Sequence, residues 1–383
     1  MPATVTVCFF PWLSISEPVS FNGFRLIPYP EGEGQPFSDE EKSAIEWATQ
    51  AFQCGSVAPK VRRATLLALS GKGPLEVPSG KQRSNCFAFA ELLAFSALAD
   101  RMFFFPLGYF NKSAFQLVIQ EVKCPPSGQG CTYLVRRRDG FKDALDFRRL
   151  WIKPPHVESP LAFPGSFDRG FLNAILSANQ TLAPEEWEAI WDTISSFNLA
   201  NTDSPDVPEH VQVVLLLGAI QRLLGCRDAG KGKLTQTFEK ILPVEQEIPA
   251  AGVKRLVPLI GKDEQEMPLR KVWLRHFYEV RGDLAHGKRR SVKKNGWNIY
   301  DHLLLATFIL PSLLKLKLQE SGLYSLSKDD LINCYAFEPL ARVEHMVNHE
   351  QEGQAVEDYE FPWNDIISEV HFRHGLTVIQ EDF

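Results

Sequence analysis

Most of the short signatures that announce an enzyme are missing from this chain. There is no Gly-x-x-x-x-Gly-Lys-Ser/Thr loop to cradle phosphates, no Gly-x-Gly-x-x-Gly to seat a dinucleotide, and no Gly-x-Ser-x-Gly to expose a serine. P-loop, Rossmann and α/β-hydrolase chemistries are set aside with them. Cysteine is scarce, an odd seven among 383 residues and scattered. Only Cys124 and Cys131 lie near one another, at a spacing longer than a zinc knuckle uses, and no second pair follows. The cysteines therefore read as reduced thiols of a cytoplasmic protein. The start of the chain has no basic stretch leading into a long apolar core, so no signal peptide is expected. The longest largely apolar run, 303–314, is too short to span a bilayer and contains Pro311; it reads as a buried helix. Repeats and low-complexity tracts are absent. So is any surplus of positive charge: 41 Lys and Arg against 47 Asp and Glu leave −6. That excludes a nucleic-acid coat protein and leaves room only for a local basic patch on an acidic body.

What the chain does have is apolar mass. Hydrophobic residues make up 44% and Phe alone numbers 27, enough for two cores without staples. Residues 1–150 read as a mixed α/β amino-terminal domain. Segments 4–10, 115–122 and 131–136 are rich in β-branched and aromatic residues and suit strands. Ser38 and Glu41 have the spacing of a capping box, opening a helix through Ile45, Trp47 and Phe52, while Asn85 is placed to cap an apolar helix over 86–101. Pro154, Pro155, Pro160 and Pro164 interrupt any helix and mark 151–165 as a linker. From 166 the apolar spacing turns helical, at 167–176, 184–197, 210–224, 234–242, 269–286 and 297–318. Long helices joined by polar loops argue for a bundle over 166–318. A more polar tail, 319–383, holds one further helix at 328–348. The expected class is α+β, a mixed α/β domain followed by an all-α bundle.

One helix end invites chemistry: Tyr278-Glu279-Val280-Arg281-Gly282-Asp283-Leu284-Ala285-His286-Gly287. Metal-free RNA cleavage needs a base for the 2′-OH proton, an acid for the leaving 5′-oxygen and a cation for the phosphate. His titrates near neutrality and serves as either base or acid; Arg stays charged and forks onto phosphate oxygens. Five residues turn a helix by roughly 140°, so Arg281 and His286 do not share one stripe, though they can still flank a shared groove. Asp283 lies three residues before His286, where it can orient the imidazole. Directly afterwards come Lys288, Arg289, Arg290, Lys293 and Lys294, five cations suited to an RNA backbone, with Trp297 close behind to stack a base. The plain alternative is an ordinary helix end. Arg281 would then pair with a carboxylate, His286 would sit at the negative end of the helix dipole before a Gly cap, and the cations would line a solvated loop. The Arg-to-His spacing also recurs at Arg270 and His276. His345 and His349 sit one helical turn apart, but no Glu follows His345, so the zincin motif is missing. Neither they nor His371 and His374 are read as metal ligands.

In its setting of Tyr-x-x-Arg-x-x-x-x-His-Gly, the Arg281–His286 pair resembles the signature of HEPN domains, most closely the Apea-like subfamily found in prokaryotic phage defence. Upstream, Val-Val-Leu-Leu-Leu-Gly-Ala-Ile-Gln-Arg-Leu-Leu over 213–224 is similar to the family's early helix, with Gln221 where Glu is usual. Gly282 stands where the family often has a polar residue. The resemblance spans about 166–318. It implies a HEPN-type helical bundle that pairs two protomers across one cleft. It also implies a metal-independent endoribonuclease without cofactors, with Arg281 and His286 catalytic, acting on RNA such as tRNA loops and leaving 2′,3′-cyclic phosphates. Such an enzyme would be a toxin-like effector, with the amino-terminal domain sensing a phage trigger or a partner protein. Some HEPN domains bind nucleotides, RNA or proteins without cutting, and Gln221 and Gly282 keep that reading open.

Overall fold

The computed structural model describes residues 3–29, 37–50, 52, 63–73, 75–76, 78–101, 103, 110–124, 131–136, 142–147, 161–163, 168–286, 296–343 and 362–381. The fold is α+β, with a sheet near the amino terminus and helices after it. The chain divides into two compact units, Met1–Asp100 with Phe110–Arg169, and Arg101–Tyr109 with Gly170–Phe383. The tail 319–383 thus belongs to the second unit and does not stand apart.

The first unit holds strands β1 (Ala3–Phe10), β2 (Leu13–Ile15), β3 (Val19–Phe21) and β4 (Phe24–Tyr29), then helix α1 (Asp39–Thr49), β5 (Ala64–Leu69) and helix α2 (Gly80–Leu98). After these come β6 (Val118–Cys124), β7 (Cys131–Arg136), β8 (Lys142–Phe147) and β9 (Leu161–Phe163). Five strands form an antiparallel sheet in the order β3-β4-β5-β1-β6. β1 lies inside it, with Phe9 opposite Leu66 on one side and Val118 on the other. Val7, Cys8, Phe9 and Phe10 are all buried, so both faces of β1 are covered and the run shows no polar alternation. The capping box of α1 forms as expected, Ser38 Oγ accepting from Glu41 N–H and the Glu41 carboxylate from Ser38 N–H. α2 departs from expectation. Its N-cap is Ser79, because Gln82 completes a reciprocal pair there, and Asn85 lies inside the helix. Phe115 closes a short 3-10 turn ahead of β6, which starts at Val118. β9 falls within the segment read as a linker: it pairs in parallel with β2, Ser14 opposite Ala162.

The second unit is helical: α3 (Arg169–Thr181), α4 (Pro184–Ala200), α5 (Glu209–Leu223), α6 (Lys231–Ile241), the short α7 (Lys262–Gln265), α8 (Leu269–Ala285), α9 (Ile299–Glu320), α10 (Lys328–Arg342) and α11 (Pro362–Glu381). α5 packs between α4 and α9, and α8 packs on α5, α6 and α10. The apolar face of α5 (Val213, Leu216, Leu217, Ile220) is fully buried. α9 is the one described helix long and apolar enough to cross a membrane, and most of its apolar stretch is buried inside this unit. Two buried cations of this unit are paired. Arg270 Nη1 meets Glu338 at 2.7 Å, with Glu338 wholly buried, and Lys315 meets Asp330 at 2.6 Å.

Candidate functional site

α8 is a single helix from Leu269 to Ala285, with His286 as its C-cap; the His286 N–H donates to Gly282 O at 3.1 Å. Its first three turns are anchored. Val272, Trp273, Leu274, His276 and Phe277 are buried, and Trp273 and Phe277 lie against His302 of α9. Beyond Phe277 the burial fades. Tyr278 to Leu284 are half-buried, and Ala285 and His286 are exposed. The segment expected to do chemistry is therefore the end of a rigid rod that projects from its own core. Positions rigid at the base and open at the tip suit a binding or catalytic group.

The charges of α8 separate into two kinds. Arg270 bonds Glu338 and Glu247, Lys271 pairs with Glu239 at 2.6 Å, and Arg275 with Glu264 at 2.8 Å. Glu279 is held by Lys231 at the start of α6. Burial works to raise its pKa, but the hydrogen bond and charge of Lys231 win and hold it below the usual carboxylate range. Arg281 is the exception. It is half-buried, and no carboxylate pairs with it among the described residues. His286 presents an exposed imidazole, and no hydrogen bond joins it to the half-buried Asp283 among the described residues.

The second Arg-to-His spacing is structural. Arg270 is the centre of the buried ion network, and His276 is buried edge-on to Trp297 at 5.4 Å. Trp297 does not stand free to stack a base, as its sequence position had suggested. It is buried, and its Nε1 donates to Ala341 O at 2.9 Å. Lys288, Arg289, Arg290, Lys293 and Lys294 lie outside the described residues. The point where that basic run rejoins the fold is firm. Arg255 donates to Gly296 O at 2.9 Å and to Ala341 O and Val343 O at 3.1 and 3.2 Å. Gly296 has φ +70, and a Cβ there would meet Leu256 Cδ2, so only glycine fits. Gln221 is buried on α5. His371 and His374 lie on α11 near Asp329 and Glu245 respectively; His345 and His349 are outside the described residues. The described residues contain no group of three or more His, Cys, Asp or Glu placed to hold a metal.

Sequence reasoning missed His302. It is wholly buried on α9, stacked on Phe277 at 5.2 Å and 18°, with both ring nitrogens unpartnered among the described residues. Burial, and to a lesser degree His276, pushes its pKa down to about 3, so the ring is neutral. Its position in an apolar run, Asp301-His302-Leu303-Leu304-Leu305, was the only available signal. No family model, no curated protein and no solved structure matches the chain.

Proposed function

We propose that the end of α8 is the active site of a metal-independent endoribonuclease of HEPN type. The observation that carries this reading is the uncompensated Arg281. Three of the four cations of α8 are tied to carboxylates, while Arg281, half-buried near the His286 end, has no carboxylate partner among the described residues. A half-buried guanidinium without a carboxylate beside it favours an arriving anion, and a phosphodiester is the anion whose geometry matches its fork. His286 then takes the 2′-OH proton. The 2′-oxygen attacks phosphorus, the P–O5′ bond breaks, and an imidazolium returns a proton to the leaving 5′-oxygen, leaving a 2′,3′-cyclic phosphate. One helix end offers a single His, so acid and base together require a second copy. A two-fold pairing of α8 ends would bring two Arg281–His286 sets into one cleft, with Asp283 at its edge and half-buried Val280 and Leu284 beside it.

In this reading Lys288, Arg289, Arg290, Lys293 and Lys294 track the RNA backbone, and single-stranded loops such as those of tRNA supply an accessible 2′-OH. The protein acts in the cytoplasm as a toxin-like effector of phage defence, and the first unit senses a trigger. Arg281 substitutions test the assignment. Arg281→Ala should lower kcat by about 100-fold or more, the range for losing a preorganised charge contact, and Arg281→Lys should recover only part of it. Equal rates for Lys and Arg would show that a point charge suffices and would remove the fork from the mechanism.

A further inference from the structure

Resting on the reading of a single-stranded RNA substrate, we infer that a cavity where α4 ends and α5 and α9 begin is a specificity pocket that takes one guanine base of the strand. The cavity has a volume of about 350 Å³, in the range of small-ligand sites, and every residue that lines it belongs to the second unit. Its inner wall is polar at a depth where polarity is costly. Arg101 and Asn201 line it and are only 7% and 4% exposed. The guanidinium is fixed in place: its carbon lies 4.7 Å over the Phe103 ring, and Nη2 donates to Asn201 Oδ1 at 2.6 Å, while Asn201 Nδ2 donates to Phe197 O at 2.8 Å. Asp203 lines the same cavity with φ 51, the one non-glycine residue at positive φ among the described residues. Backbone held in that left-handed region costs energy and concentrates where ligands are gripped.

The outer wall is aromatic. Tyr300, on the first turn of α9, is 48% exposed, and its hydroxyl donates to Glu209 Oε1 at 3.4 Å, which ties the ring to the start of α5. The platform that Trp297 does not provide is thus offered three residues later, still directly after the basic run in the chain. A tethered ring with half its surface open suits an unstacked base, since every base has a π face. The groups around it choose the base. Glu209 and Asp203 bring carboxylates to the cavity, and Gln212, whose Nε2 donates to Val207 O at 2.8 Å, adds an amide oxygen. These are acceptors. Guanine alone among the four RNA bases presents two adjacent donors, N1–H and N2–H, which one carboxylate accepts side by side; its O6 and N7 take donors of the kind an arginine such as Arg101 carries. Adenine, cytosine and uracil each set an acceptor beside their donor, and that acceptor is repelled by a carboxylate.

The test measures binding of the full chain to short labelled RNAs made uncleavable by 2′-fluoro substitution: all uridine, or uridine with a single guanosine, adenosine or cytidine. GMP is titrated alongside as a soluble guanine, and melting temperatures are read for each variant. One guanosine should tighten binding by about ten-fold over the other three strands. Glu209→Gln should remove that preference, because an amide offers one oxygen where a carboxylate offers two. Tyr300→Ala should weaken the guanosine strand by about ten-fold, and Tyr300→Phe, which keeps the ring, should hold it. Equal binding of all four strands by the wild type overturns the pocket, as does a guanosine preference that survives both Glu209→Gln and Tyr300→Ala. Binding of GMP without binding of any RNA overturns its role toward the strand. Cleavage that is lost in His286→Ala but comes with no guanosine preference removes the pocket and leaves the α8 site standing. A guanosine preference without cleavage leaves the pocket standing and removes the α8 site.

Discussion

Replacing His302 by Phe should spare the helical unit about 2 kcal/mol of the stability that it loses between pH 7 and pH 5. The wild-type imidazole is wholly buried, stacked on Phe277 and flanked by Trp273 and Trp297 at 6.2 and 6.1 Å, with neither nitrogen bonded. Its pKa falls from the ordinary 6.5 to about 3 in the folded state. A pKa depressed by folding means that the unfolded chain binds the proton first. The stability is therefore fully present above pH 6.5 and is lost as pH drops from there toward 3. Each pKa unit is worth about 1.4 kcal/mol, so the loss from this one ring between pH 7 and pH 5 is about 2 kcal/mol. Phe keeps the stacked ring and cannot titrate. Any overpacking it introduces is the same at both pH values and cancels in the difference. Urea unfolding at pH 7 and pH 5, followed by tryptophan fluorescence and far-UV circular dichroism, gives the two differences directly. The wild type should lose about 2 kcal/mol more than His302→Phe over that interval. Equal losses in the two proteins would show that His302 is hydrated or bonded and that the aromatic shell does not exclude the proton.

Two further outcomes follow from the charges. Glu338→Ala leaves the Arg270 guanidinium buried with only the exposed Glu247, and strips Ile248 N–H of its acceptor, so urea titration should show a loss of about 3–5 kcal/mol; a loss below about 1 kcal/mol would mean that water reaches Arg270. Reversing Lys288, Arg289 and Arg290 to Glu should weaken RNA binding at low salt and flatten its salt dependence with the melting temperature kept; an unchanged affinity would take the basic run out of the interface.

The helices were legible because their periodicity survives burial on one face. α4 begins at the Pro184 that marked it, and α8 runs to the His286 read as its end. The sheet was less so. β2, β3 and β9 are three residues each, too short to show a period, and β5 is apolar on both faces, so its alternation is erased. α2 begins ahead of Asn85 because Ser79 has Gln82 to answer it, a reciprocal pair that a single Asn does not form. α11 follows residues with no clear spacing and was missed. At the site, the types and order of residues were visible, but their states were not. Arg270 and Arg281 look alike in the sequence; only the fold shows that Glu338 and Glu247 pack around the first and that no described carboxylate pairs with the second. Trp297 looked like a platform because it follows cations, yet its neighbours His276 and Ala341 take it into the core.

The central claim is that His286 at the tip of α8 cuts RNA. The most direct measurement incubates the purified full chain with end-labelled single-stranded RNA in EDTA and identifies the product termini. Cleavage that leaves 2′,3′-cyclic phosphates, spares the DNA of the same sequence and disappears in His286→Ala at an unchanged melting temperature is the predicted result. No cleavage, cleavage that survives His286→Ala, or products with 5′-phosphates that form only with Mg²⁺, would contradict it.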